Sequence, residues 1–333
     1  MPNESRRLFL RHALASVVAV AAAGAAGFEL VGHGVLPGKG VLDRLDGACS
    51  VPPADLTAYA PPGPSLSGTF YSAARNRNVG YTIAYPPGHR PGARLPLVVM
   101  LHGYGGNHGN AVSGMTPAQA LALTVGGRPL APMAMVTADG GGGYWNPHPA
   151  DDPMRMLTDE LIPMCQRRGL GAAPRQIGAM GISMGGYGAL LLAEKHPRLV
   201  AAVASISPAI WTSYAQAKSA NAGAYASAAD FAADDAVSHA VALADLPVRV
   251  AAGYADPFYP GVRALAAALP AGAVVDFANG CHDGSFFTAQ EPPALAFLAS
   301  HLSGRAGLRG LPCRRRGPAR RRSCRRGRAP PRG

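Results

Sequence analysis

The sequence predicts an α/β fold in which helices cover both faces of a mostly parallel central sheet. Short, almost continuous apolar runs recur along the chain, as is typical of strands buried on both faces. Segments of helical character separate these runs, so that strands and helices alternate. The apolar runs span 96–103, 133–140, 176–183, 199–207, 247–256 and 273–280.

An antiparallel pair of strands is predicted ahead of the first apolar run, over Phe70–Ala74 and Val79–Tyr85, with a polar turn between them. Residues 208–246 are rich in alanine and predict a long, mainly helical insertion, which either covers the functional site or packs as part of the core. Helices are predicted over Thr116–Thr124, Pro153–Arg167, Met184–Lys195, Val262–Leu269 and Glu291–Leu302.

The formal net charge of +12 does not indicate a nucleic-acid-binding domain. Residues 305–333 contain twelve arginines and no acidic residue, so the remainder of the chain is close to neutral. We expect the Arg-rich tail, residues 304–333, to be disordered. It either adheres to an anionic lipid or envelope polymer or is a solvated extension without a binding role.

The first 35 residues resemble a twin-arginine export signal. Arg6 and Arg7 are followed by Phe9, Leu10 and a weakly apolar run of alanine and valine. This pattern predicts an exported bacterial protein, secreted or associated with the cell envelope; the alternative is an uncleaved N-terminal anchor. Residues 36–67 are rich in proline and predict an irregular segment, which leaves 68–303 as the main domain.

Three of the five cysteines, Cys49, Cys165 and Cys281, precede the Arg-rich tail, so at most one internal disulfide is expected there. After export, Cys49 could pair with Cys165 or with Cys281, and the sequence does not choose between them. No spacing of Cys and His is typical of a zinc site, and no metal or other cofactor is predicted.

The predicted strands end in polar residues and glycines, and in a mostly parallel sheet these ends meet at one edge. We therefore expect the functional site along that edge. The segments are HGYGGN (102–107), DGGGGYWNPH (139–148), Ser183, SPAIW (207–211), YADPFY (254–259) and CHDG (281–284).

Ser183 is the candidate nucleophile, because residues 181–185 match G-x-S-x-G between a predicted strand and a predicted helix. A sharp, strained turn at this serine requires neighbours without side chains, which Gly181 and Gly185 provide. Gly186 would let the helix approach the sheet. The helix that follows directs its positive end at the site. The alternative is an ordinary glycine-rich turn.

His282 is the candidate base, because it directly follows a strand and comes after the serine in the chain. The other histidines beyond Ser183 lie in predicted helical stretches: His196, His239 and His301. Asp256 is the candidate acid that orients the base, since it ends an apolar strand. Asp276 and Asp283 are weaker alternatives.

Two backbone N–H groups, those of Met184 and Tyr104, are the expected donors of an oxyanion hole, and His102 is expected to be structural. In the polyglycine loop, Tyr144 and Trp145 are predicted to form a pocket wall, although a structural role is equally compatible with the sequence. Trp211, in the Ala-rich insertion, is the third substrate-binding candidate.

Taken in order, the motifs LHGYGGN, DGGGGYWNP, GISMGGYGAL, DPFY and GCHDGSFF resemble the esterase D/antigen 85 branch of the α/β-hydrolases, over about residues 68–303. The sequence is most similar to exported actinobacterial esterases of that branch. The resemblance implies a triad of Ser183, Asp256 and His282. This branch often has tryptophan shortly after the histidine, where this chain has Phe286 and Phe287, so the acyl and acceptor preferences stay open.

The sequence therefore predicts a serine carboxylic-ester hydrolase that forms an acyl-serine intermediate on a small-molecule or lipid ester. Members of the branch include carboxylesterases, S-formylglutathione hydrolase and mycolyltransferases, so a mycolyl- or diacylglycerol-type acyltransferase using the same triad is the alternative. A third hypothesis is a non-catalytic envelope-binding protein. No nucleic-acid partner is expected for the main domain, whereas the N-terminus or the Arg-rich tail could associate with the envelope.

Overall fold

The computed structural model describes residues 43–172 and 177–302. The predicted export signal, the first part of the Pro-rich segment and the Arg-rich tail lie outside these described residues. In the two described ranges, no helix is both long and apolar enough to cross a membrane.

An eight-stranded sheet forms the centre of the molecule. Its strands are β1 (Ser65–Ser72), β2 (Arg77–Ala84), β3 (Leu97–Leu101), β6 (Ala134–Ala138), β7 (Ile177–Ile182), β8 (Val200–Ile206), β9 (Val248–Gly253) and β10 (Val274–Ala278). The spatial order is β1-β2-β6-β3-β7-β8-β9-β10. Strand β2 is antiparallel to both of its neighbours, and the remaining pairs are parallel. The mostly parallel sheet is therefore confirmed.

Each apolar run of the sequence contains one parallel strand, and these strands are buried on both faces except β10, which is partly exposed. The antiparallel pair starts earlier than predicted: β1 begins at Ser65, not at Phe70. Strand β1 lies at the edge of the sheet, where exposed polar residues alternate with partly buried ones. Its first residues therefore do not form the apolar run by which the other strands were predicted. A second, two-stranded sheet of β4 (Thr124–Val125) and β5 (Arg128–Pro129) was not predicted.

Helices cover both faces of the central sheet. They are α1 (Pro117–Ala120), α2 (Pro153–Arg155), α3 (Ile162–Arg167), α4 (Met184–Lys195), α5 (Tyr214–Ala220), α6 (Ala228–Ala233), α7 (Tyr259–Ala268) and α8 (Gly284–Leu302), with a π-helical turn at Met156–Leu161 and a 3-10 turn at Ala240–Leu243. Val99 and Leu101 of β3 pack in the same core cluster as α4, whereas Val98 and Met100 pack with α8. This alternation places α4 and α8 on opposite faces.

Several helices differ from the prediction. The predicted helix over Thr116–Thr124 is wrong beyond its first turn, since the chain leaves α1 for the hairpin of β4 and β5. Helix α8 begins at Gly284, seven residues before the predicted start at Glu291. It continues through Pro292 and Pro293, which would normally end a helix.

Burial of apolar side chains on both sides of the proline pair offsets this cost in α8. Phe286 precedes the pair and Leu295, Leu298 and Leu302 follow it, each less than 5% exposed. The insertion over residues 208–246 is also less helical than predicted, since it holds only α5, α6 and the short 3-10 turn.

One disulfide joins Cys49 to Cys281 and settles the pairing that the sequence left open. Cys165 is a free thiol, fully buried in the core. The bond fastens the irregular segment that precedes β1 to the loop between β10 and α8.

Candidate active site

Ser183 occupies a strained turn between β7 and α4. Its backbone angles are φ 56° and ψ −120°, a conformation that L-residues other than glycine rarely adopt. The turn is held on two sides, since the N–H of Ser183 donates to the carbonyl of Ile206 at 2.9 Å and its carbonyl accepts from the N–H of Ala209 at 3.0 Å. This backbone conformation directs the side chain of Ser183 toward the edge of the sheet. Ser183 is only partly buried.

The glycines around Ser183 have the steric roles that the sequence predicts. A Cβ on Gly181 would overlap the carbonyl group of Gly185, and a Cβ on Gly185 would overlap the carbonyl of Leu101. At Gly186, a Cβ would come within 2.9 Å of the Ile206 carbonyl oxygen, so α4 lies close against β8. The turn therefore tolerates side chains at none of these three positions.

A chain of hydrogen bonds links Ser183, His282 and Asp256. Ser183 Oγ lies 2.8 Å from His282 Nε2, and His282 Nδ1 lies 2.8 Å from Asp256 Oδ2. Because a carboxylate can only accept, Nδ1 carries the proton and Nε2 is left to accept from the serine hydroxyl. The Asp256 side chain is fully buried, and its second oxygen accepts from the N–H of Phe258 at 2.8 Å.

Asp276 and Asp283, the weaker candidates for the acid, bind other residues. Asp276 pairs with Arg249 at 2.7 Å, and Asp283 accepts from the N–H groups of Ser285 and Phe286 at the start of α8. Among the predicted acids, the structure brings only Asp256 to His282.

The loop that follows β3 lies against the nucleophile turn. A Cβ on Gly103 would stand 3.5 Å from the Cβ of Ser183. The N–H of Met184 opens α4 and so has no partner within the helix, and the N–H of Tyr104 donates to no other described residue. Both predicted donors therefore carry free N–H groups next to the serine.

His102 is buried and fixes the loop rather than facing solvent. Its Nδ1–H donates to the carbonyl of Gly103 at 2.7 Å, and its Nε2 accepts from the N–H of Gly140 at 2.8 Å. Burial lowers the pKa of the ring, which keeps it neutral. The expectation of a structural histidine agrees with this geometry.

The polyglycine loop does not form the expected pocket wall. Trp145 is 0% exposed: its ring packs 5.1 Å from the His102 ring and fills the space left by Gly140 and Gly188. Tyr144 is 4% exposed and lies among other aromatic rings. The pocket-wall prediction is therefore wrong for Trp145 and Tyr144, because both side chains are used to build the core under the site.

Two cavities lie at the site. One, of about 420 Å³, contains Ser183 and His282 and is lined by the 103–113 loop and Phe287. The other, of about 600 Å³, is lined by Trp211, Phe258, residues along the length of α5 and the first turn of α7. Trp211 thus lines a cavity, but one that does not include the serine itself, and its predicted substrate-binding role stays a prediction.

Two phenylalanines that the sequence analysis did not assign to the site flank His282. The rings of Phe258 and Phe287 each lie 5.0 Å from the imidazole ring, centre to centre. Phe258 also packs 4.7 Å from Trp211 and lines the larger cavity with it. Their positions in DPFY, two residues after Asp256, and in HDGSFF, five residues after His282, were the signal that could have identified them.

No group of three or more His, Cys, Asp or Glu residues in the described ranges is arranged to hold a metal ion.

The "Putative esterase" family model matches residues 72–261, more than half of the chain and including Ser183 and Asp256. The chain belongs to this esterase family. A search of curated protein sequences gave no match to the esterase.

Solved structures share the fold of the esterase at low sequence identity. An S-formylglutathione hydrolase from Agrobacterium tumefaciens has a TM-score of 0.58 and 19% identity, covering 73% of this chain and 97% of its own. The feruloyl esterase module from Clostridium thermocellum has a TM-score of 0.56 and 17% identity over 76% and 93% of the two chains. MPT51 of Mycobacterium tuberculosis has a TM-score of 0.55 and 17% identity over 72% and 99%. These likenesses confirm the α/β-hydrolase fold.

Proposed function

We propose that the esterase is a serine carboxylic-ester hydrolase in which Ser183 forms the acyl-enzyme. The observation that carries this proposal is the hydrogen-bonded chain from Ser183 through His282 to Asp256, with the serine on a strained turn. Membership in the esterase family supports the reaction class.

In the proposed reaction, Ser183 Oγ attacks the carbonyl carbon of the ester while His282 Nε2 takes the hydroxyl proton. As the carbon–oxygen bond to the alcohol breaks, His282 returns that proton to the leaving oxygen. A water molecule then attacks the acyl-serine with His282 as base, which releases the acid and restores the serine. Asp256 holds the ring in the required tautomer and stabilises its charged form.

The N–H groups of Met184 and Tyr104 are proposed to stabilise the negative oxygen that develops in each attack. The support is their position: Met184 begins α4 and Tyr104 follows the glycine that lies against Ser183. The positive end of α4 favours the same charge.

The larger cavity is proposed to hold the acyl chain. Its walls are mostly apolar and come from Trp211, Phe258, α5 and the first turn of α7. Phe258 touches both this cavity and the ring of His282, so a chain lying along Phe258 would lead from the serine into it. Among the three substrate-binding candidates, only Trp211 retains this role.

Export to an oxidising compartment is proposed as well. The Cys49–Cys281 disulfide supports it, because such bonds persist outside the reducing cytoplasm. Association with the cell envelope through the N-terminus or the Arg-rich tail is also proposed, because export would permit it.

The test uses Ser183→Ala and a fluorophosphonate probe. The wild type should hydrolyse a p-nitrophenyl acetate and carry the probe on Ser183, whereas the variant should do neither. Wild-type turnover by Ser183→Ala would overturn the proposal. A folded wild type that neither reacts with the probe nor cleaves esters would instead favour the non-catalytic binding protein.

Acyl transfer is distinguished by its products. With trehalose or diacylglycerol present, a hydrolase releases free acid, whereas an acyltransferase yields a new ester at the expense of that acid. If the new ester is the main product, the main reaction is acyl transfer and not hydrolysis. The proposed roles of Ser183 and His282 stay the same.

A further inference from the structure

The residue that precedes His282 is covalently tied to a distant part of the chain. Cys281 forms a disulfide with Cys49, 232 residues away in the sequence. The pair lies in the loop between β10 and α8 and in the irregular segment before β1.

Hydrogen bonds extend this connection to the loop that carries Asp256. The N–H of Gly280 donates to the carbonyl of Ala48 at 2.8 Å, and the carbonyl of Gly280 accepts from the N–H of Ala255 at 3.1 Å. Ala255 is the neighbour of Asp256. The loops carrying His282 and Asp256 and the segment around Cys49 are thus joined through one residue, Gly280.

The position of this loop explains why such a connection is needed. Strand β10 is the last strand of the sheet and pairs with β9 alone. Its side chains are partly exposed, so neighbouring strands support the loop from one side only. Cys49 and the residues around it supply contacts on the other side.

We propose that the Cys49–Cys281 disulfide positions His282 for proton transfer, so that the esterase works in its oxidised form and loses turnover when this bond is reduced. The inference rests on the proposed function. Both cysteines are only partly buried, so a reductant can reach them. A dithiol would break the sulfur–sulfur bond, leave one thiol on each cysteine and itself become a disulfide.

Reduction should act on the chemical step more than on binding. A displacement of His282 by about 1 Å lengthens its hydrogen bond to Ser183, which can cost about 100-fold in rate. We expect kcat for a small ester to fall about 10- to 100-fold with KM little changed. The pH dependence of kcat/KM should also change, because it reports the histidine whose partners have moved.

The experiment uses the full chain with Cys313→Ser and Cys324→Ser, so that the thiols of the tail do not take part. The enzyme is reduced with dithiothreitol, its thiols are counted by alkylation and mass spectrometry, and kcat, KM, the pH profile and the fluorophosphonate labelling rate are measured. Reoxidation should restore kcat, the pH profile and the labelling rate. Cys49→Ser should behave like the reduced enzyme and should not respond further to dithiothreitol, which separates this bond from the buried thiol of Cys165.

Full kcat and an unchanged pH profile in protein with both thiols alkylated would overturn the inference. So would loss of the far-ultraviolet circular dichroism together with activity, because the bond would then hold the fold and not one histidine. Either result is distinct from failure of the proposed function, which is read from Ser183→Ala in the oxidised enzyme.

Discussion

The ring of His102 donates a hydrogen bond to the carbonyl oxygen of the next residue, Gly103, at 2.7 Å. The N–H of Gly106 donates to the same oxygen at 3.0 Å. In a trans peptide the carbonyl and the following N–H point in opposite directions, so this pair of bonds also fixes the N–H of Tyr104. His102 thereby acts on the proposed oxyanion site without reaching the substrate.

Replacement of His102 should therefore lower the rate of the chemical step. We expect His102→Ala to reduce kcat about 100-fold, the order of losing one oxyanion donor, with a smaller change in KM. His102→Asn should recover part of the loss, since its side-chain N–H can occupy the place of Nδ1–H. Steady-state kinetics on a small ester checks this, and wild-type kcat in His102→Ala would contradict the positioning role.

Asp256 should be required for turnover but not for folding at neutral pH. In Asp256→Asn the His282 ring loses the carboxylate that selects its tautomer, and we expect kcat to fall about 10⁴-fold. Asp276→Asn is the matched control, because Asp276 is bonded to Arg249 and not to His282. Equal activities of the two variants would remove Asp256 from the proposed triad.

The strands and the three residues of the proposed triad could be selected from the sequence because each has a local signal. A strand buried on both faces is an unbroken apolar run, and a parallel sheet brings the carboxyl ends of such runs to one edge. Those two rules placed the candidates at one edge, and the G-x-S-x-G match and the chain order then selected Ser183, Asp256 and His282, which the structure brings within hydrogen-bonding distance.

Features set by tertiary contacts were not predictable in the same way. Helix α8 passes through Pro292 and Pro293 because buried side chains hold it on either side, and that burial has no local pattern. Trp145 points into the core because Gly140 and Gly188 leave room for its ring. The partner of Cys281 depends on where an irregular segment lies, which hydrophobic periodicity does not encode.

The larger cavity should control the length of the acyl group that is accepted. Ala215 lies in its wall, so Ala215→Trp would fill it while leaving the serine cavity open. We expect this variant to retain turnover of a p-nitrophenyl acetate and to lose it on octanoate and longer esters. Trp211→Ala should instead raise KM for the long esters. A uniform loss across the chain-length series in Ala215→Trp would place the acyl group elsewhere.

Glu291 should make the stability of the esterase fall as the pH rises from 4.5 to about 8. Its side chain is fully buried in α8, where one oxygen accepts from the N–H of Ser113 at 2.6 Å, and burial raises its pKa to about 8. Between the ordinary value of 4.5 and about 8, the folded protein holds a proton that the unfolded chain has released. Stability therefore falls as the pH rises through this range, by at most about 1.4 kcal/mol per pH unit.

Glu291→Gln keeps an acceptor for Ser113 but cannot ionise, so it removes this dependence. We expect the variant to match the wild type near pH 5 and to exceed its free energy of unfolding by about 1 kcal/mol or more at pH 8 and above, in urea titrations at each pH. Asp159→Asn, at an exposed carboxylate, should leave the wild-type curve unchanged. Because Ser113 lines the cavity that holds Ser183, the same ionisation should loosen the site. Parallel pH curves for the wild type and Glu291→Gln would show that Glu291 carries no excess proton in the folded state.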